Sequence, residues 1–239
     1  RTTDASPAVR TGTTITFWPD AEIFQTTQCS FDTLAERLRE LAFLNRQLDI
    51  SLTDERRVRE PRSLRFQYPR GTRDMVAFLD EQAAVPVHSD VIGFAQEDAR
   101  MSGTVEVALR WRDRGEPELR SFANCRPTPE GGAHVAGFCE GVAAAVNTHA
   151  RQRGPLTAAD PDFSIDQISK GLTAVISVKL EYPDFEGSTR GRLGNPAVRA
   201  YVRQAVHEHL GSWFEEHPHQ AATVIDRITQ EARADRLLP

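Results

Sequence analysis

The 239-residue chain is poor in lysine, cysteine and methionine, and it lacks a long apolar run. Each shortage excludes something. No stretch approaches the roughly 18–20 apolar residues of a membrane-spanning helix. The opening residues, Arg1-Thr2-Thr3-Asp4, lack the basic-then-apolar pattern of a secretory signal. Cys29, Cys125 and Cys139 are too few and too scattered for a disulfide framework or a zinc site, which points to a reducing, cytoplasmic setting. Of the 29 basic side chains only Lys170 and Lys179 are lysines. Codon usage in a GC-rich genome accounts for such a bias before any chemistry does. A net charge of −5 opposes a generic nucleic-acid-coating role, although it leaves room for a local basic surface. No HExxH, serine elbow or Gly-rich Lys-Ser/Thr loop occurs. The first residue is Arg rather than Met, so the chain is read as a fragment or processed product.

What is present is an apolar fraction of 39%, enough for a core, patterned into strands and helices. Thr13–Trp18 (TTITFW) is β-branched and aromatic and reads as a strand ended by Pro19. Ser30 is placed to cap a helix carrying Phe31, Leu34, Ala35, Leu38, Leu41 and Ala42 at helical spacing. Leu48–Thr53 and Leu64–Tyr68 alternate as strands around a loop with Arg56, Arg57, Arg59 and Arg62. That run reads as a solvated hairpin tip, because Asp54, Glu55 and Glu60 dilute its charge. A short helix follows at Thr72–Leu79. In Val105–Arg112 the odd positions are apolar, as in a half-buried antiparallel strand, and Leu119–Cys125 could pair with it across the turn at Arg114–Pro117. A sharp turn at Pro127–Gly132 leads into a helix over Val135–Ala150. Leu172–Leu180 (LTAVISVKL) is nearly all apolar and reads as a central strand buried on both faces. Asn195-Pro196 opens a long helix, and a last helix follows. The order of elements gives an α+β fold.

Two clusters are candidates for chemistry. His207, His209, His217 and His219 crowd together, but the first two face different sides of a helix and read as solvated surface. Ser188, Thr189 and Arg190 lie between Gly187 and Gly191, after the buried strand and before the capped helix. A hydroxyl and a guanidinium on a flexible backbone suit an anion, phosphate above all; the alternative is an ordinary surface connection.

The strings TGTTITFWPDAEIF (Thr11–Phe24), FDTLAERLRELAFLN (Phe31–Asn45), GLTAVISVKL (Gly171–Leu180) and FEGSTRGRLGN (Phe185–Asn195) together carry a resemblance. The chain resembles, essentially end to end, the gyrase-B-type ATPase subunit of bacterial type II DNA topoisomerases, in the GHKL superfamily. The resemblance implies the end of a GHKL-type ATP-binding sandwich over residues 1–70. A transducer domain over 71–239 would follow, a mixed sheet packed with helices and ending in a long C-terminal helix. The magnesium-binding Asn and the DxGxG segment of the family are absent and are expected upstream of Arg1. The full protein would be an ATP-hydrolysing DNA topoisomerase with ATP and Mg2+ as cofactors. DNA and a gyrase A-type subunit would be its partners, and it would form a homodimer on ATP binding, away from membranes. The chain alone would be inactive. Where the family's transducer loop has Gln-Thr-Lys, reaching the γ-phosphate, this chain has Ser188-Thr189-Arg190. Arg190 keeps the charge and would be the catalytic group, while Ser188 reaches less far. Thr13 matches a threonine at the adenine end of the pocket. The chain departs from the family at Gly131-Gly132-Ala133-His134, where Gly-Gly-Thr-His is usual, and at Cys139, where an arginine often lines the DNA cavity. Two other readings compete: a chaperone-type or mismatch-repair-type GHKL ATPase, and a stand-alone nucleic-acid-binding module using the arginine-rich segments.

Overall fold

The computed structural model describes residues 13–56, 61–81 and 85–237. Helix α1 (Phe31–Phe43) starts where the Ser30 side chain accepts the Thr33 N–H at 3.3 Å. It packs Phe31, Ala35 and Ala42 against Phe66 of an antiparallel hairpin, β1 (Ile50–Asp54) and β2 (Arg62–Phe66). Arg57 and Arg59 of the expected arginine-rich tip lie outside the described residues.

The centre of the molecule is a five-stranded sheet of β3 (Ile92–Asp98), β4 (Gly103–Trp111), β5 (Glu118–Ala123), β6 (Arg126–Pro127) and β7 (Leu172–Leu180). Its spatial order is β3-β4-β7-β5-β6, with β5 and β7 parallel and the other pairs antiparallel. Helix α2 (Thr72–Asp80) covers one face, where Met75 and Val76 meet Ala108, Phe122 and Val175. The other face is covered by α3 (Ala133–Arg153), α5 (Pro196–Glu216) and α6 (Pro218–Leu237). A short helix, α4 (Ile165–Ser169), closed by a Ser164/Gln167 capping box, seats Ile168 in the same core.

Three sequence expectations are corrected. Thr13–Trp18 forms no strand: it runs extended in solvent, with Phe17 74% and Trp18 84% exposed. A strand exists only through hydrogen bonds to a neighbour, and none stands beside this stretch among the described residues. The segment from Leu119 does not pair with β4. Strand β7, apolar on both faces, takes the slot between them and pairs in parallel with β5 through a crossover that contains α3. Asn195 occupies the N-cap position of α5 without capping it. Its side chain instead accepts from Asp184 N–H at 2.7 Å and donates to Tyr182 O at 3.1 Å.

Helices α3 and α5 approach closely because α3 presents glycine to its neighbour. A Cβ on Gly141 would lie 2.7 Å from both Arg203 O and Val206 Cβ. Two buried polar side chains, Asp80 and His88, are matched to partners. Asp80 accepts from Arg110 Nε and Thr173 Oγ1, each at 2.6 Å, and so ties the end of α2 to β4 and β7. His88 is wedged beside Trp111 and Trp213. Its Nδ1–H donates to Asp90 O at 2.8 Å, and its Nε2 accepts from Trp111 N–H at 3.1 Å. That pair of bonds admits only the neutral ring.

Two tests follow from this packing. Gly141→Ala gains about 1 kcal/mol of helix propensity but incurs an overpacking cost of about 1–3 kcal/mol, so the melting temperature should fall. Gly211→Ala in α5, with nothing within 4 Å of its Cβ position, should raise it. Burial lowers the pKa of His88 and of His134 to about 4. The unfolded chain takes up these protons as pH falls through about 6.5, whereas the folded chain resists until about 4. Stability should therefore decline across that window, by at most about 3 kcal/mol per histidine, as read from urea midpoints between pH 7 and 4.5.

Candidate functional site

After β7 the chain turns into a small hairpin, β8 (Phe185–Glu186) and β9 (Arg192–Leu193), whose tip carries the expected anion-binding residues. The hairpin is short, and side chains brace it: Glu186 and Arg192 are register partners and form an ion pair at 2.8 Å. Asn195, bridging Tyr182 and Asp184, staples its base to the start of α5. The tip turns through Gly187 at φ +75° and Arg190 at φ +55°. The second of these is a left-handed conformation that costs an arginine about 1 kcal/mol or more.

Ser188, Thr189 and Arg190 are all exposed. Among the described residues no hydrogen bond or ion pair engages their side chains. They form a contiguous patch of one guanidinium and two hydroxyls, open to solvent and able to donate to an oxyanion arriving from outside. Thr13 is exposed in the extended N-terminal stretch, and no hydrogen bond joins it to the hairpin.

The base of the hairpin is clamped onto the turn before α3, which the sequence marked only as a sharp turn. Leu193 N–H donates to Gly131 O at 3.1 Å, and Glu130 N–H donates to Gly191 O at 3.0 Å. Gly132 and Leu193 form a parallel bridge. Gly132, at φ +126°, is in contact range of the Leu193 backbone, so a side chain there would block the junction. The turn is itself anchored. Thr128 Oγ1 meets Ser121 Oγ at 2.7 Å and His134 Nε2 at 3.0 Å. His134 is fully buried, and this burial is what holds its ring neutral. Position 133 is Ala and its side chain is only partly buried, so the anchoring role falls to Thr128.

The remaining candidates do not converge on chemistry. His209 stacks on Phe94 with ring centroids 4.1 Å apart and meets Gln96 at 3.0 Å, while His217 stacks on Trp213. Among the described residues no group of three or more His, Cys, Asp or Glu is placed to hold a metal ion. Cys139 is half-buried against the main core, and burial pushes its thiol pKa up.

Comparison with known proteins gives this hairpin and sheet a context. The family model described as DNA gyrase B matches residues 71–237. The chain is 40% identical over 239 residues to the DNA gyrase B-subunit of Streptomyces coelicolor, covering 94% of this chain and 35% of that protein. It is 42% identical over 235 residues to the Haloferax lucentense gyrase B-subunit, covering 98% of this chain and 36% of that protein. It thus spans little more than a third of the length of these relatives. Among solved structures, the 43K ATPase domain of Thermus thermophilus gyrase B, in complex with an aminocoumarin, superimposes with a TM-score of 0.79 at 29% identity. That match covers 91% of this chain and 57% of that one. The gyrase B-subunit of Myxococcus xanthus gives 0.74 at 26% identity, covering 88% and 64%. The family model matches most of the chain, and the same architecture recurs in these structures: the chain belongs to the DNA gyrase B family.

Proposed function

We propose that this chain is the coupling part of a gyrase-B-type ATPase subunit, in which the tip at Ser188–Arg190 senses the γ-phosphate of ATP. The observation that carries the reading is a mechanical contrast. The tip is bare and unpartnered, while its base follows directly on β7 and is locked to the turn before α3 and to the start of α5. A guanidinium that touches nothing inside the protein, on a hairpin bound to the main helices, suits the reporting of an external charge.

The tip fits a phosphate by its donor set. Arg190 would make charge-assisted hydrogen bonds to it, Thr189 and Ser188 would offer hydroxyls, and Thr13 would belong to the adenine end. ATP supplies the phosphate and the free energy of its hydrolysis. This chain's residues bind, orient and transmit: the braced hairpin carries displacement of Arg190 into β7 and α5. Mg2+ would accompany the ATP, and none of the tip residues is offered as its ligand. On this reading residues 1–70 close an ATP-binding domain and 71–239 form the transducer, in line with the family model's start at residue 71. The uncovered Ile15, Phe17, Trp18, Ile23 and Phe24 are the surface on which the rest of that domain would pack. The full protein would hydrolyse ATP to drive passage of one DNA duplex through another. It would work with a gyrase A-type subunit, dimerise on ATP binding and act in the cytoplasm; no helix among the described residues is long and apolar enough to cross a membrane. A stand-alone nucleic-acid module is disfavoured by the charge of −5 and by the ion pairing of Arg56, Arg62 and Arg65.

A charged hydrogen bond to phosphate contributes roughly 1.5–3 kcal/mol. In the complete ATPase subunit, Arg190→Ala should therefore slow turnover about tenfold to a hundredfold. Nucleotide affinity should change by no more than a few-fold, and the melting temperature should hold. Arg190→Lys should recover part of the rate. Wild-type turnover by Arg190→Ala would reduce the hairpin to a connector.

A further inference from the structure

Glu130 stands where the position of the tip is decided. Its N–H donates to Gly191 O at 3.0 Å and its carbonyl accepts from Arg192 Nη1 at 3.3 Å, so its peptide holds both residues that follow Arg190. Its carboxylate rests against Gly191: a Cβ there would lie 2.8 Å from Glu130 Oε1. Because consecutive Cα atoms are about 3.8 Å apart, that carboxylate sits within reach of an arginine side chain rooted at residue 190.

The charge on Glu130 is also uncompensated. A cavity of about 610 Å3 beside the turn is lined by three glutamates. Glu40 is paired with Arg37 at 3.0 Å, and Glu118 with Arg120 at 3.0 Å. Along the hairpin Glu186 is paired with Arg192. Among the described residues the Glu130 carboxylate has neither hydrogen bond nor ion pair, and neither has the Arg190 guanidinium. An unpaired anion thus stands on the turn that clamps the hairpin, and an unpaired cation on the hairpin's tip.

We propose that Glu130 is the positioning residue of the tip. Its peptide sets the height of residues 190–192, and its carboxylate competes with the γ-phosphate for the Arg190 guanidinium. This rests on the reading of Arg190 given above. Carboxylate and phosphate offer arginine the same fork-to-oxyanion geometry. Arg190 would then exchange one anion for another when nucleotide arrives. Such an exchange would leave Arg190 with little net effect on nucleotide affinity. A charge acting from an exposed site has a modest and salt-sensitive effect.

The test uses the complete ATPase subunit and Glu130→Gln, which keeps the backbone bonds and the side-chain size and removes the charge. Affinity for a non-hydrolysable ATP analogue should rise about two- to fivefold at low salt, with the gain shrinking in high salt. Affinity for ADP, which has no γ-phosphate, should not move, and Glu130→Asp should behave like wild type. In an Arg190→Ala background the gain should vanish. An unchanged affinity for the analogue, an equal change for ADP, or a gain that persists without Arg190 would each overturn the proposal. Failure of the Arg190 reading is seen separately, as normal turnover by Arg190→Ala alone. Slow turnover by that variant with a silent Glu130→Gln overturns this proposal and leaves the Arg190 reading standing.

Discussion

Strand β7 is the constraint on which the rest of the structure depends. Of its nine residues only Lys179 reaches solvent. Ala174, Ile176 and Val178 face the helices α3, α5 and α6, while Val175 faces α2. A strand apolar on both faces must have both faces covered and both edges paired, since any other placement exposes apolar surface or orphans backbone groups. That requirement puts β4 on one side and β5 on the other and makes the sheet mixed. It also fixes where the chain leaves the sheet. The exit at Leu180 leads within a few residues to the hairpin, so the Ser188–Arg190 tip is attached to a strand buried along nearly its whole length.

The clamp between the hairpin and the turn before α3 extends that rigidity outward. It is built from backbone hydrogen bonds at Glu130, Gly131 and Leu193 and from a buried Ser121–Thr128–His134 chain. Backbone bonds are insensitive to side-chain drift, so the same clamp can hold tips of different composition. Here the tip is Ser-Thr-Arg, and the clamp beneath it is intact. The left-handed conformation of Arg190 is followed by Gly191, whose carbonyl is held by the Glu130 N–H.

Glycine permits two close contacts that the hairpin and the long helix depend on. Gly141 lets α3 lie against α5 at backbone distance, and Gly132 lets the turn meet Leu193. Together they link hairpin, turn and long helix into one packed unit through which a small displacement can pass. The N-terminal stretch behaves oppositely: its aromatic and β-branched residues have pattern but no partner, and they remain in solvent.

Where a feature depends on nearby residues, the sequence alone determined it. The Ser30 cap and α1, the β1–β2 hairpin, α2, the long helices and the doubly apolar β7 were all legible, because side-chain periodicity and capping chemistry act over a few residues. The exposed Ser188–Arg190 tip was legible for the same reason, through its flanking glycines. Strand order was decided only by the tertiary structure: β5 and β4 are separated by β7 because burial is a property of the whole sheet and not of adjacent segments. The failure of Thr13–Trp18 to form a strand follows from the same dependence on a distant partner. The role of Asn195 as a staple instead of a cap, through its side chain to the Asp184 and Tyr182 backbone, and the approach of Glu130 to Gly191 through their backbones depend on hydrogen bonds between segments separated in sequence. Such bonds exist only once the sheet and helices have brought the two segments together.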